Sequence, residues 1–272
     1  MTLSLSRAEY AQVFNQNEKG RDFVTGDIHG NKKAFLKALD SVCFDKTKDR
    51  LFCTGDLIDG GVDSLFIVNQ LKEDWFFAIR GNHEQFLIYA MKITDGFKRA
   101  KAIGDHKSNG GKWFHKLSSK DSKMQIANEL DNLPYAITLK TSKGDVGLVH
   151  GEVPKRCESW SVLTSRLQGV FNTPYELAEV KDARENAIWG REAITDGYDY
   201  FRGKFIHEDY QIKRSISGID VTVHGHTGVY EPVVWGNQIW IDTCGKTGEL
   251  TILQTEALFE LVANAKREKL DD

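Results

Sequence analysis

Gly55-Asp56-Leu57-Ile58-Asp59-Gly60-Gly61 follows the apolar run Leu51-Phe52-Cys53, and the reading of this junction decides the fold. The apolar run has the character of a buried strand, and the glycines after it let the backbone turn sharply and approach a ligand. Two carboxylates, Asp56 and Asp59, are placed on that turn. Asp and Gly are also ordinary turn residues, so one such junction is compatible with a plain loop. It is not alone. Residues 21–25 read as a strand running into Gly26-Asp27-Ile28-His29-Gly30, and residues 75–79 as another running into Arg80-Gly81-Asn82-His83-Glu84. Each strand is followed by apolar residues at helical spacing: Phe35, Ala38, Leu39 and Val42; Leu65, Val68 and Leu71; Phe86, Leu87, Ala90 and Met91. This βαβαβα alternation predicts an α/β fold with a largely parallel sheet and ligands bound at the carboxyl ends of its strands.

Further along, residues 94–132 lose the alternation. They hold a glycine turn, Asn109-Gly110-Gly111, beside Trp113 and Phe114, and then Ile126, Ala127, Leu130 and Leu133 at helical spacing, which predicts a helical insertion. Residues 135–139 and 145–149 predict a hairpin whose second arm ends in His150-Gly151. Residues 159–210 are mixed, with an Ile-Trp-Gly-Arg-Glu run ending at Glu192. Strands return at residues 220–223, leading into His224-Gly225-His226-Thr227, at 232–235 and 238–242 around Gly236-Asn237, and at 250–254. Residues 266–272 read as a solvated tail and 1–20 as an N-terminal extension. With no internal repeat and no proline-rich linker, one domain over residues 1–272, with two sheets, is expected.

Hydrophobic residues make up 40% of the 272 and charged residues 28%, the profile of a globular protein with a sizeable core. A net charge of −3 offers no bulk attraction for nucleic acid or an anionic membrane. Residues 1–20 lack the apolar core of a signal peptide and no segment reaches membrane-spanning length, so a cytoplasmic protein is expected. The four cysteines lack paired zinc spacing, and Cys43, Cys53 and Cys244, flanked by apolar or strand-like residues, are expected to be core thiols.

Collected from the strand ends, Asp27, His29, Asp56, Asn82, His150 and His226 form a mixed oxygen and imidazole set, with Asp59, His83 and His224 close in sequence. Such a set suits manganese, iron or zinc better than calcium, and a carboxylate can bridge two ions. The motifs Gly-Asp-Ile-His-Gly, Gly-Asp-Leu-Ile-Asp, Gly-Asn-His-Glu, His150-Gly151 and Gly225-His226-Thr227, in this order, resemble those of the calcineurin-like metallophosphoesterases. Within these, the chain is most similar to the Ser/Thr phosphoprotein phosphatases of bacterial and phage lambda type. The Asn-Gly-Gly-x-Trp run at Asn109 and the Ile-Asp-Thr ending at Thr243 extend the similarity, which spans residues 21–254.

The resemblance implies a fold of two mixed β-sheets sandwiched by helices (α/β/β/α) and a centre of two divalent metal ions, manganese first, with iron or zinc as alternatives. Asp27 and His29 would hold the first metal, Asp56 would bridge, and Asn82, His150 and His226 would complete the second, leaving His224 as a packing residue. Two such ions, about 3.5–4 Å apart, activate a bridging water as hydroxide and clamp the phosphoryl oxygens of an in-line displacement. His83 would be the general acid for the leaving alkoxide, oriented by Asp59, and Arg191 would grip phosphate oxygens. The family reads Asp-Arg-Gly where this chain reads Asp59-Gly60-Gly61, so one phosphate-binding arginine is missing. Arg80 could supply it, although a surface or salt-bridge role for Arg80 is favoured. The implied activity is dephosphorylation of phosphoserine or phosphothreonine in proteins. A symmetrical dinucleoside polyphosphate hydrolase, with Trp113 and Phe114 stacking on a base, is the alternative. A third reading is a phospho-binding module weakened in catalysis.

Overall fold

The computed structural model describes residues 9–157, 159–169, 174–195, 198–199, 204–205 and 215–267. In chain order the elements are β1 Ala11–Phe14, β2 Asp22–Thr25, α1 Lys32–Ser41, β3 Arg50–Cys53, α2 Ser64–Gln70, β4 Phe76–Ala78 and α3 Asn82–Lys92. The helices α4 Gly96–Ser108, α5 Lys112–His115 and α6 Lys120–Asp131 then fill the stretch expected to be a helical insertion. The hairpin β5 Ala136–Thr141 and β6 Gly144–Val149 is followed by α7 Trp160–Gln168, α8 Pro174–Trp189 and α9 Glu192–Thr195, then the short pair β7 Tyr198–Asp199 and β8 Lys204–Phe205. The remaining elements are β9 Val221–His224, β10 Val233–Trp235, β11 Gln238–Trp240, α10 Cys244–Thr247, β12 Ile252–Gln254 and α11 Thr255–Arg267.

Apart from the separate β7-β8 pair, these strands build two mixed sheets, ordered β12-β2-β3-β4 and β1-β5-β6-β9-β11-β10. The junction strands β2, β3 and β4 run parallel, as their alternation with helices requires, and only β12 joins them antiparallel. Their register aligns Phe23 with Leu51 and Phe76 on one face and Val24 with Phe52 and Phe77 on the other. The first row packs under α1, α2, α3 and α6, against Phe35, Ile67, Leu87 and Ile126. The second row meets Ile137, Leu148, Val223 and Ile239 of the six-stranded sheet. That sheet's outer face is covered by Trp160, Leu163 and Ala187 from α7 and α8. The layers are therefore helix, sheet, sheet, helix, and strands covered on both faces explain the near-continuous apolar runs in the sequence.

Two readings change, a tail boundary shifts and one helix is added. Residues 11–14, expected to belong to an extension, form the edge strand β1, paired in parallel with β5 from Ala11↔Ala136 to Phe14↔Leu139. Residues 255–265, to which the sequence assigned no element, form most of α11, which inserts Leu258 and Val262 into the core between the sheets. The tail expected from Lys266 is helical as far as Arg267, and residues 268–272 lie outside the described residues. Cys53 and Cys244 are buried as expected, but Cys43 is exposed, because the chain leaves α1 with φ +48 there and turns the thiol to solvent.

Candidate metal centre

All three parallel junctions open at the same edge, and the loops after β6, β9 and β11 reach it from the second sheet. The backbone is strained there. Of the five non-glycine residues with positive φ among the described residues, four are His29 (+47), Asp56 (+48), Asp59 (+72) and His226 (+63). Such a conformation costs on the order of 1 kcal/mol or more per residue and persists where the surroundings impose it. The surroundings do so by crowding. A Cβ on Gly81 would stand 2.2 Å from Asp56 Oδ1, and one on Gly225 would stand 2.0 Å from Asp27 Oδ1. These glycines are required because one carboxylate occupies the space against each.

Side chains from four loops converge. Asn82 Oδ1 lies 3.0 Å from His150 Nε2 and 2.8 Å from His226 Nδ1. His150 Nε2 is also 3.4 Å from Asp56 Oδ1. Donors sharing one ion at about 2.1 Å stand about 3.0–3.4 Å apart along the edges of an octahedron or tetrahedron, and these spacings fit a single cation. On the other side of Asp56, Oδ2 faces His29 Nε2 at 3.7 Å and His83 Nε2 at 3.9 Å. Ligand atoms of His29, Asp56 and His83 thus form one cluster, and those of Asp56, His150 and His226 a second, each within 4.8 Å, with Asp56 common to both. Asp27 stands outside both clusters; its oxygens accept from Thr54 Oγ1 (3.2 Å) and the His226 N–H (2.9 Å).

The electrostatics also ask for cations. Asp27 is buried, and that burial, with the charges of Asp242 and Asp56, pushes its carboxyl well above the usual range. Asp242 Oδ1 is buried without a hydrogen-bond partner. Three carboxylates in a low-dielectric pocket, one with an orphaned oxygen, are costly unless positive charge joins them. Burial alone would raise Asp56 too, but His150, His83 and His29 outweigh it and hold its carboxyl well below the usual range. His226 is driven the other way, down to about 3, by burial, His150 and Arg191.

His83 is half-enclosed, and its Nδ1 meets Asp59 Oδ2 at 3.0 Å. Burial lowers this imidazole, but the hydrogen bond to Asp59 and the charge of Asp56 lift it to about 9. It is therefore a protonated donor when no cation is nearby. Arg191, exposed just beyond α8, donates from Nε to His226 Nε2 at 2.8 Å, which brings a guanidinium to the rim of the site. His224 is fully buried and stacks on Trp240 with centroids 4.8 Å apart. Its ring nitrogens meet the Gly151 carbonyl and Thr222 Oγ1, consistent with packing.

Arg80 does not supply the missing arm. It is 3% exposed, pairs with Asp131, also donates to the Asp131 carbonyl, and spans Gln85 and the Tyr135 hydroxyl at 3.2 Å each. The salt-bridge role expected for it holds, but the residue is in the interior. Of the aromatic pair, Phe114 offers no face to a base. Phe114 is fully buried, and the Trp113 indole donates to Asp59 Oδ1 at 2.8 Å. Both rings fasten the insertion to the core.

Two participants went unassigned in the sequence although their motifs were visible. Glu84, last in Gly-Asn-His-Glu, is fully buried and accepts from the N–H groups of Gly81, Asp56 and Leu57 at 2.8, 2.9 and 2.9 Å, tying two junctions together. Asp242 is the acid of the Ile-Asp-Thr run. A third, His106, touches Asp59 and carried no motif signal.

A strand-end cluster of imidazoles and carboxylates at the edge of a two-sheet sandwich defines a metal-dependent hydrolase class. The chain belongs to the calcineurin-like phosphoesterases: the model of that family matches residues 23–230. It is 27% identical over 237 residues to serine/threonine-protein phosphatase 1 of Salmonella typhimurium, covering 86% of this chain and 91% of that protein. It is 25% identical over 209 residues to a symmetrical bis(5'-nucleosyl)-tetraphosphatase of Coxiella burnetii, covering 71% of this chain and 65% of that one. Among solved structures, a protein serine/threonine phosphatase from Saccharomyces cerevisiae shares the fold with a TM-score of 0.55 at 18% identity, over 87% of this chain and 72% of that one. The family uses divalent metal ions, and the clusters around Asp56 are candidate places for them. No helix among the described residues is long and apolar enough to cross a membrane.

Proposed function

We propose that the chain is a metal-dependent Ser/Thr phosphoprotein phosphatase. Two divalent ions, manganese first and iron or zinc as alternatives, are assigned to Asp27 and His29 on one side, Asp56 between, and Asn82, His150 and His226 on the other. When bound, they supply Lewis acidity toward the phosphoryl oxygens and an activated water. The chain's own groups do the rest. Arg191 offers a guanidinium to the phosphate at the rim; with a cation held at His226 Nδ1, Nε2 would carry the ring proton and release Arg191 for the phosphate. His83 gives its Nε2 proton to the departing serine or threonine oxygen. Asp59, at Nδ1, holds the ring in the tautomer and orientation for that transfer.

The observation that carries the reading is the His83–Asp59 pair at 3.0 Å beside Asp56. An alkoxide leaving group is strongly basic and needs a donor of this kind. Phe114, fully buried, offers no face to a base, which weakens the aromatic platform of the tetraphosphatase alternative. Phosphate release from a phosphoserine peptide by the manganese-loaded chain is expected to exceed turnover of diadenosine tetraphosphate. The reverse ranking would favour the polyphosphate reading, and tight phosphopeptide binding without turnover of any ester would favour a binding module.

Gly60 modifies this reading. It lines a cavity of about 740 Å³ together with His29, Asn31, Lys33, His83 and Gly110. A Cβ there would meet nothing nearer than His29 Cβ at 3.7 Å, so space exists for a side chain. The backbone, at φ +75, is in the left-handed region, where a side chain costs roughly 1–2 kcal/mol. Gly60→Arg is therefore expected to lower the melting temperature by several degrees while lowering KM for the phosphopeptide. An unchanged or higher KM would mean that the arm is already replaced.

A further inference from the structure

His83 and Asp59 do not stand as an isolated pair. Asp59, fully buried, receives three N–H donors from separate elements. They are His83 Nδ1 from α3 at 3.0 Å, Trp113 Nε1 from α5 at 2.8 Å, and His106 Nε2 from α4, which lies 3.3 Å from Oδ1 and 3.2 Å from Oδ2. Although burial pushes the Asp59 carboxyl up, the bonds from His106 and His83 hold it below its ordinary value. His106 is itself fully buried, and its Nδ1 meets His115 Nε2 at 3.0 Å.

The protonation pattern of this chain follows from who can donate. Asp59 accepts only, so His106 presents N–H from Nε2, and its Nδ1 shares a proton with His115 Nε2. His115 is neutral in this role, held down to about 4 by burial, His106, Lys107 and Lys123. The Asn109-Gly110-Gly111 turn is shaped around the same groups. A Cβ on Gly110 would lie 2.4 Å from Gly60 N, and one on Gly111 would lie 2.0 Å from His106 Nε2. The turn thus presses the His106 ring against Asp59.

We propose that His106, backed by His115, is a positioning residue for the leaving-group step: it clamps Asp59 so that Oδ2 faces His83 Nδ1, and the helical insertion thereby sets how well His83 delivers its proton. The proposal rests on the reading of His83 as proton donor. In the step itself a water oxygen bonds to phosphorus as the P–O bond to the serine or threonine oxygen breaks, and that departing oxygen takes the His83 Nε2 proton. His83 is left neutral with Nδ1–H still bonded to Asp59, and the carboxylate charge does not change. His106 transfers nothing. Its removal lets Asp59 turn and misaligns the donor, an effect that matters only where the leaving group needs a proton.

The test measures kcat and KM of the manganese-loaded full chain on a phosphoserine peptide and on 4-nitrophenyl phosphate, whose leaving group departs readily without a proton. His106→Ala is expected to lower kcat on the peptide roughly 10- to 100-fold and on the aryl ester less than about threefold, with KM little changed. His106→Gln, which keeps an N–H donor, is expected to recover most of the loss. Trp113→Phe, which removes a different donor to Asp59 without emptying the core, is expected to show the same selectivity if His106→Ala fails to fold. Equal losses on both substrates, or no loss on either, would overturn the proposal. The control is His83→Asn. If it is selective for the peptide while the His106 and Trp113 variants are not, the proposal fails alone; if His83→Asn is itself unselective, the donor reading fails and takes the proposal with it.

Discussion

Asp56→Asn is expected to reduce phosphopeptide turnover by roughly 10³-fold or more and to abolish the binding of at least one metal ion. Asp56 is the one residue common to both ligand clusters, with Oδ1 toward His150 at 3.4 Å and Oδ2 toward His29 at 3.7 Å. The amide retains the shape, so the His83 N–H to Oδ1 contact at 3.0 Å can survive and the fold with it. What disappears is the negative charge among four imidazoles. Lewis-acid stabilisation of a phosphoryl transition state is worth several kcal/mol, and each 1.4 kcal/mol is about tenfold in rate, which sets the expected loss. Two measurements check it. Manganese added to chelator-treated wild-type chain should raise its melting temperature, because a ligand that binds only the native state stabilises it by about 2.7 kcal/mol at a hundred times its dissociation constant. The variant should show a weakened shift and a lower metal-to-protein ratio. A full metal complement with unimpaired turnover would show that Asp56 does not bridge.

The variant also bears on how this edge of the sandwich is held together. Asp56, Asp59, His29 and His226 sit in left-handed backbone and are kept there by mutual crowding, with Glu84 pinning two of the junctions. Strain and unpaired buried charge are concentrated at one edge, while the strands beneath are regular and apolar on both faces. The sheets provide the stability that the edge consumes.

What the sequence disclosed follows the range of the interactions involved. The strands β2, β3 and β4 were legible because short continuous apolar runs and glycine turns are local signals, and the ligand positions because each lies directly after such a strand. Edge strand β1 was not, since Ala11-Gln12-Val13-Phe14 alternates weakly and its pairing partner lies more than a hundred residues away. Helix α11 was within reach: Leu258 and Val262 stand four apart, the spacing of a buried stripe. Trp113 and Phe114 show the opposite error. Their proximity to the site was read correctly, but which way an aromatic ring faces depends on packing between α5 and Asp59, and the sequence does not carry that. Gly60 is the subtlest case. A missing side chain is visible in the sequence, whereas the φ of +75 that makes its replacement costly is not.

His83→Asn is expected to leave the metals in place and to slow phosphoserine peptide turnover by 10² to 10⁴, the usual worth of a positioned general acid. The structure makes this a sharp expectation because it offers His83 two employments. Its Nε2 lies 3.9 Å from Asp56 Oδ2, within the cluster it shares with His29, so a ligand role is geometrically open. Its Nδ1 is bonded to Asp59, an arrangement that orients a donor. The two roles separate under substitution. Loss of a ligand lowers metal content and affects all substrates alike. Loss of a proton donor spares metal content and weighs on substrates in proportion to the basicity of the departing oxygen. The pH profile adds a second separation: an acid that must be protonated gives a rate that falls as pH rises through its pKa, and this alkaline limb should vanish in the variant. Bound cations would place that limb below the value of about 9 set by Asp59 and Asp56 alone, because positive charge nearby disfavours the imidazolium. Loss of metal with equal slowing of the peptide and of 4-nitrophenyl phosphate would reassign His83 as a ligand and leave Asp59 as the residue that orients it.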